Sequence, residues 1–161
     1  ATGQTGIMIA GEGMPIDAVV ADFISGAAEM LSPTNEADHW DLIEGQGSIV
    51  NPGYAGVTVG LMHGSQPDAL VLCHEATRTG IDGWDGYDLP EMPTIIDHYL
   101  SAGRLTNPAI QMTGISVNTS SLDRVEGKAY LRELEDRMRM PCVDPMVDGV
   151  GRIVDRLQAG G

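Results

Sequence analysis

Two short apolar runs, Trp40-Asp41-Leu42-Ile43 and Ala69-Leu70-Val71-Leu72-Cys73, constrain this chain most. Each is too short for a helix, and neither alternates as a strand with one wet face does. Both therefore read as buried parallel strands. The first breaks off into Glu44-Gly45-Gln46-Gly47-Ser48 and the second into His74-Glu75-Ala76-Thr77-Arg78. In an open parallel sheet the ligand crevice lies beyond the carboxyl ends of the strands. The pattern predicts an α/β fold with its site at these strand ends.

The rest of the chain supports this alternation. Ile7-Met8-Ile9-Ala10 reads as a strand that starts abruptly, as though from the middle of a fold. Ile16, Val19, Val20, Phe23, Ile24, Ala27, Ala28 and Leu31 recur at helical spacing, predicting a helix over 16–31 whose polar face, with Asp22, is solvated. Further helices are predicted over 54–63, 94–102, 122–138 (capped by Ser121) and 146–157, with a strand over 110–117 and a short one near Cys142. Gly160-Gly161 is expected to fray. Residues 79–93, rich in Gly, Asp and Pro and carrying Trp84 and Tyr87, suit an active-site flap or a variable surface loop equally. Strands alternating with helices predict three layers, a mostly parallel sheet with helices on both faces. The expectation is a single α/β domain over 1–161.

Charge narrows the partners. Twenty-three acidic residues face nine basic ones, and Lys128 is the only lysine. A net charge of -14 leaves no basic stripe to neutralise phosphates, which argues against nucleic acid. A hydrophobic fraction of 42% argues against a disordered acidic chain. Acid excess with one lysine suggests a salt-loving source, where salt screens the self-repulsion. No run of eighteen apolar residues and no leader-like start occurs, so a cytoplasmic protein away from membranes is expected. Cys73 and Cys142 have no metal-type spacing and read as reduced thiols, Cys73 within a buried strand.

Glu44 is the leading catalytic candidate, at a strand end beside Gly45, Gln46 and Gly47, where the backbone can approach a ligand. Its carboxylate suits a general base or a divalent-cation ligand, and equally a cap on the loop's own amides. His74 and Glu75 follow the next strand and point to opposite faces, so one of them faces the crevice. Arg78 suits a bidentate clamp on a carboxylate or phosphate, or a surface ion pair. Asn118 and Thr119 end the strand over 110–117 and line the crevice or simply serve a turn. His63 complements the dipole of its helix end, and His39 and His98 do not stand out. The chain carries no GxxxxGK[ST], GxSxG, HExxH or GxGxxG motif. Gly3-Gln4-Thr5-Gly6 lies on the wrong side of its expected strand for a phosphate loop.

Ala1-Thr2-Gly3-Gln4-Thr5-Gly6-Ile7-Met8-Ile9, Ala21-Asp22-Phe23, Glu44-Gly45-Gln46-Gly47-Ser48, Leu61-Met62-His63-Gly64-Ser65, Leu72-Cys73-His74-Glu75 and Gly114-Ile115-Ser116-Val117-Asn118-Thr119 occur in this order. Together they resemble the C-terminal P-loop-type domain of a prokaryotic domain-of-unknown-function family, which includes the D-glutamate N-acetyltransferase DgcN. The resemblance implies a P-loop NTPase-like, dethiobiotin-synthetase-like fold. It also implies a truncated member lacking an N-terminal domain, the first strand and its phosphate loop. The Glu-Gly-x-Gly segment is similar to one that helps bind metal and substrate in dethiobiotin synthetases, which adds weight to Glu44. The activity implied is transfer of an acetyl group from acetyl-CoA to D-glutamate or a similar amino acid. Assigned by position, Glu44, His74 and Glu75 are the candidate catalytic residues. Gln4, Thr5, Gly45, Gln46, Gly47, Arg78 and Asn118 are the candidate substrate- or cofactor-binding ones. The alternative is an ATP-dependent ligase or a nucleotide-binding regulator using Mg2+ and ATP, with this fragment inactive alone. The expected partners are a small-molecule substrate and the N-terminal domain; the state of assembly, homo-oligomer included, is left open.

Overall fold

The computed structural model describes residues 3–160. Ala1 and Thr2 of the opening motif, and Gly161 with its expected fraying, lie outside the described residues. The chain forms two compact units. One comprises the described residues to Pro67 together with Ser101–Ala109, the other Asp68–Leu100 together with residues 110–160.

The first unit is helical: α1 (Gln4–Ala10), 3-10 turns at Ile16–Ala18 and Ala21–Phe23, α2 (Ile24–Leu31) and α3 (Ala55–Ser65). Two expected strands are absent from it. The run from Ile7 lies within α1, which Gly11 closes at φ 75 by donating its N–H to the carbonyl of Ile7. Trp40-Asp41-Leu42-Ile43 is irregular, with Leu42 91% exposed. A strand exists through its ladder partners, and the described residues of this unit supply none. The helix expected over 16–31 is broken because Val19 and Val20, a stiff β-branched pair, take extended ψ angles of 138 and 137. The apolar spacing still serves packing, since Ile16, Ile24, Ala27, Ala28 and Leu61 form one buried cluster. Two glycines of α3 let α2 close on it. A Cβ at Gly60 would lie 2.5 Å from Cγ2 of Ile24, and one at Gly64 would lie 2.0 Å from the carbonyl oxygen of Ser25.

In the second unit β1 (Ala69–Glu75), β2 (Gln111–Asn118) and β3 (Cys142–Val143) form a parallel sheet in that order. α4 (Met92–Gly103) follows β1, α5 (Arg124–Met138) follows β2 and α6 (Gly151–Ala159) follows β3. A register shift at Leu70/Val71 puts Leu72 beside Ile115 and His74 beside Val117. That face joins Met92 and Ile96 of α4 and Leu131 and Leu134 of α5 in the larger core. The other face is covered by α6, whose Ile153 approaches so closely that a Cβ at Gly114 would sit 2.8 Å from it. Helices thus lie on both faces of a parallel sheet, as the alternation predicts. A bidentate ion pair, Arg152 with Glu135, ties α6 to α5.

Three details differ from expectation. β2 is buried on both faces as a central strand, whereas β1 alternates between half-buried and exposed positions, and Cys73 is exposed. α6 covers the sheet at β2, so the outer face of β1 stays open. Asp123, not Ser121, caps α5 in a full capping box with Glu126, because its carboxylate reaches the amides of both Val125 and Glu126. The last helix starts at Gly151 because Asp144 holds residues 144–148 in a turn, accepting from the amides of Val147 and Asp148.

Candidate functional site

The carboxyl ends of the three strands are laced together residue by residue. Glu75 pairs with Asn118 at the end of the β1–β2 ladder, and the next amide, Ala76, donates to the carbonyl of Asn118 at 3.1 Å. Beyond the strands, Thr77 Oγ1 lies 3.0 Å from Ser121 Oγ. Thr119, just after β2, donates its amide (3.0 Å) and its hydroxyl to Oδ2 of Asp144, just after β3. The amide of Met146 donates to the other oxygen of Asp144 at 2.9 Å. This aspartate is only 4% exposed. Burial pushes its pKa up, but the donors from Thr119 and Met146 outweigh that and hold the carboxyl below its usual range.

His74 and Glu75 diverge to opposite faces of β1, as strand geometry requires. The His74 Nε2 lies 3.1 Å from the hydroxyl of Tyr130 on α5. Its pKa is lowered, first by burial and then by the charge of Arg78, which favours the neutral imidazole. Glu75 Oε2 accepts from Nε (3.2 Å) and Nη2 (2.7 Å) of Arg78, whose Nη1 contacts Asp82 Oδ2 at 2.7 Å. Arg78 stands at the wall of an open basin of about 460 Å³ formed by the loop after β1, lined also by Thr77, Thr79, Trp84 and Tyr87. Gly80 and Asp88 bridge the base of this loop, and Trp84 packs edge-on against Tyr87.

The remaining candidates lie in the first unit. Glu44 is exposed in an irregular segment. Gly45 has nothing within 4 Å of where a Cβ would stand, while one at Gly47, at φ +29, would lie 2.4 Å from Cβ of Tyr54. The need for glycine at 47 is therefore internal packing. The carbonyl of Gln46 accepts from Thr58 Oγ1 at 2.7 Å, which fastens the segment to α3. Gln4 and Thr5 open α1 and are exposed. His63, in the last turn of α3, meets the carbonyl of Ala102 through Nε2 at 2.9 Å. Among the described residues no group of three or more His, Cys, Asp or Glu side chains is placed to hold a metal ion.

Sequence reasoning passed over Tyr130, Asp82 and Asp144. Asp144 had a signal, an acid directly after a short apolar strand. Asp82 lies four residues from Arg78. Tyr130 is 56 residues from His74, and nothing local marks it.

A parallel sheet with helices on both faces and polar groups gathered at its strand ends defines the class of protein: an α/β domain of the P-loop type. The profile of DUF1611, "Domain of unknown function (DUF1611_C) P-loop domain", matches residues 1–154, and the chain belongs to this family. A D-glutamate N-acetyltransferase of Tritonibacter scottomollicae is 54% identical over 99% of this chain and 48% of its own length. A second D-glutamate N-acetyltransferase, from a Pseudoalteromonas species, is 54% identical over 98% of this chain and 47% of its own. The crystal structure of a DUF1611 family protein from Anabaena variabilis superposes with a TM-score of 0.86 at 33% identity, covering 98% of this chain and 47% of that one. The chain spans about half the length of the relatives it matches.

Proposed function

We propose that the protein of which this chain is the P-loop-type domain is an N-acetyltransferase that moves an acetyl group from acetyl-CoA to the amine of D-glutamate. The observation that carries this is identity of 54% to two D-glutamate N-acetyltransferases along nearly the whole chain. The chemistry asks for two things from the protein. The acceptor ammonium must lose a proton before its nitrogen has a lone pair to attack with, and its carboxylates must be held. Acetyl-CoA supplies an activated acyl carbon; the new C–N bond forms as the C–S bond breaks, and the thiolate leaves to take up a proton. His74, its neutral form favoured, supplies the base, and Arg78 clamps a carboxylate. Glu75 steadies Arg78, and Asn118 borders the same strand ends. Glu44, Gln4, Thr5, Gly45, Gln46 and Gly47 remain candidates by sequence position alone. The chain has no GxxxxGK[ST] loop, so no residue here is assigned to the CoA phosphates.

Mixing the full-length protein with acetyl-CoA and a panel of D- and L-amino acids, and following thiol release, tests this. Release with D-glutamate is expected, and no release with any amine overturns it. The P-loop description of the family favours a second reading, an ATP-dependent ligase or nucleotide-binding regulator. Magnesium-dependent ATP consumption without CoA release selects that one. Among the described residues no helix is long and apolar enough to cross a membrane.

A further inference from the structure

We propose that Asp82 occupies the carboxylate anchor at Arg78 when substrate is absent, and that a substrate carboxylate binds by displacing it. This rests on the acetyltransferase reading for the identity of the substrate, though not for the existence of the anchor. The Arg78 guanidinium is divided between two acids. Glu75 takes two of its N–H groups and stands at the end of β1, where the ladder to Asn118 fixes its backbone. Asp82 takes the remaining terminal nitrogen through one contact of 2.7 Å, and its side chain is 81% exposed against 37% for Glu75. Of the two, Asp82 is the one that can leave.

The loop permits the departure. The turn carrying Asp82 is closed by backbone bonds, Trp84 amide to Ile81 carbonyl at 3.0 Å and Ile81 amide to Tyr87 carbonyl at 3.2 Å, and none of these uses the aspartate side chain. Gly83 and Gly86, at φ +78 and +82, supply the left-handed backbone that the turn requires. Exchange of one carboxylate for another leaves the charge around Arg78 unchanged, so no new buried charge accompanies binding. The vacated position opens on the basin that Thr77 and Thr79 also line. Asp82 thus discriminates for ligands that bring their own carboxylate, because a ligand without one cannot repay the lost pair. An exposed ion pair of this kind is weak enough to yield.

Steady-state kinetics on the full-length protein test the exchange. D82N is expected to lower KM for D-glutamate by about 1.4- to fivefold with kcat unchanged, the factor set by the strength of an exposed pair. R78Q is expected to raise KM at least tenfold, and D82N should have no effect in that background. An unchanged or raised KM in D82N overturns the proposal. Trp84 gives a readout that does not depend on turnover. In a full-length Trp40→Phe protein, with any tryptophan outside this chain also replaced by Phe, glutarate should change the fluorescence of Trp84, with a lower midpoint when Asp82 is Asn. An equal midpoint, or no response to glutarate, overturns the exchange even if acetylation is observed. A shifted midpoint without acetylation of any amine keeps the exchange and overturns the acetyltransferase reading.

Discussion

The imidazole of His74 and the phenol of Tyr130 lie nearly parallel, 17° apart with centroids separated by 6.5 Å, and meet through Nε2 and the hydroxyl. One residue ends a strand and the other lies on the helix covering it, so the histidine is held in one orientation between sheet and helix. Burial and the nearby Arg78 charge depress its pKa below the ordinary 6.5. The sign follows. Protonating His74 costs the folded state more than the unfolded one, so its contribution to stability is present above pH 6.5 and is lost as pH falls through the lowered value. The acid limb of kcat/KM for the full-length protein is expected below pH 6.5, and H74Q should remove it along with most of the activity. R78Q removes a charge that lowers this pKa and should move the limb upward. A limb that ignores both substitutions would remove His74 from the base role.

Gly64 and Gly56 lie on the same helix and should respond oppositely to alanine. Replacing glycine within a helix gains up to about 1 kcal/mol in propensity. At Gly56 nothing lies within 4 Å of the new methyl, so G56A should be neutral or stabilising. At Gly64 the methyl would be 2.0 Å from the Ser25 carbonyl oxygen and 2.7 Å from Cβ of Ala28, so α2 must move away. Overpacking costs about 1–3 kcal/mol, which outweighs the propensity gain. Thermal unfolding of the two variants should give a lower Tm for G64A and an equal or higher one for G56A.

Comparison of these elements shows what a single sequence makes legible. β1, β2 and α5 follow from run length and periodicity because their partners lie in the same unit and reward the local pattern. Trp40-Asp41-Leu42-Ile43 has the composition of a strand but no ladder to join among the described residues, and the run from Ile7 to Ala10 is helical for the same reason. Composition states what a segment can do; pairing decides what it does. The site divides in the same way. His74, Glu75, Arg78 and Asn118 stand out at strand ends, where the fold class directs attention. The partners of His74 and of the neighbouring Thr119, Tyr130 and Asp144, come from 56 and 25 residues away, and only the packed structure brings them close.

The two thiols should separate cleanly by reactivity. Cys142 is buried beneath α5, and burial followed by the nearby Glu135 charge pushes its pKa up to about 11, which leaves almost no thiolate at pH 8. Cys73 is exposed on the open face of β1. Titration of this chain with a chromogenic disulfide should show one thiol reacting quickly under native conditions and the second only in denaturant. Fast reaction of both, or of Cys142 in a C73S variant, would contradict the packing of β3 under α5.

Asp144 gives the most direct test of how the strand ends are held. Its two oxygens accept from the Thr119 amide and hydroxyl on one side and from the Met146 amide on the other, so D144N must set an amide NH2 against one of these donors. Losing hydrogen bonds to a buried charge and leaving a donor unsatisfied costs about 2–3 kcal/mol. The wild-type carboxyl is held below its ordinary pKa of 3.8, so its contribution is present above that value and is lost as pH falls through the lowered one. Urea unfolding at pH 7 should show D144N less stable by about that amount, and the gap should close toward pH 2. T119V removes the hydroxyl and keeps the amide, so it should cost less than D144N at pH 7. Equal stability of D144N and wild type at pH 7 would mean that the Asp144 contacts do not help hold the ends of β2 and β3 together.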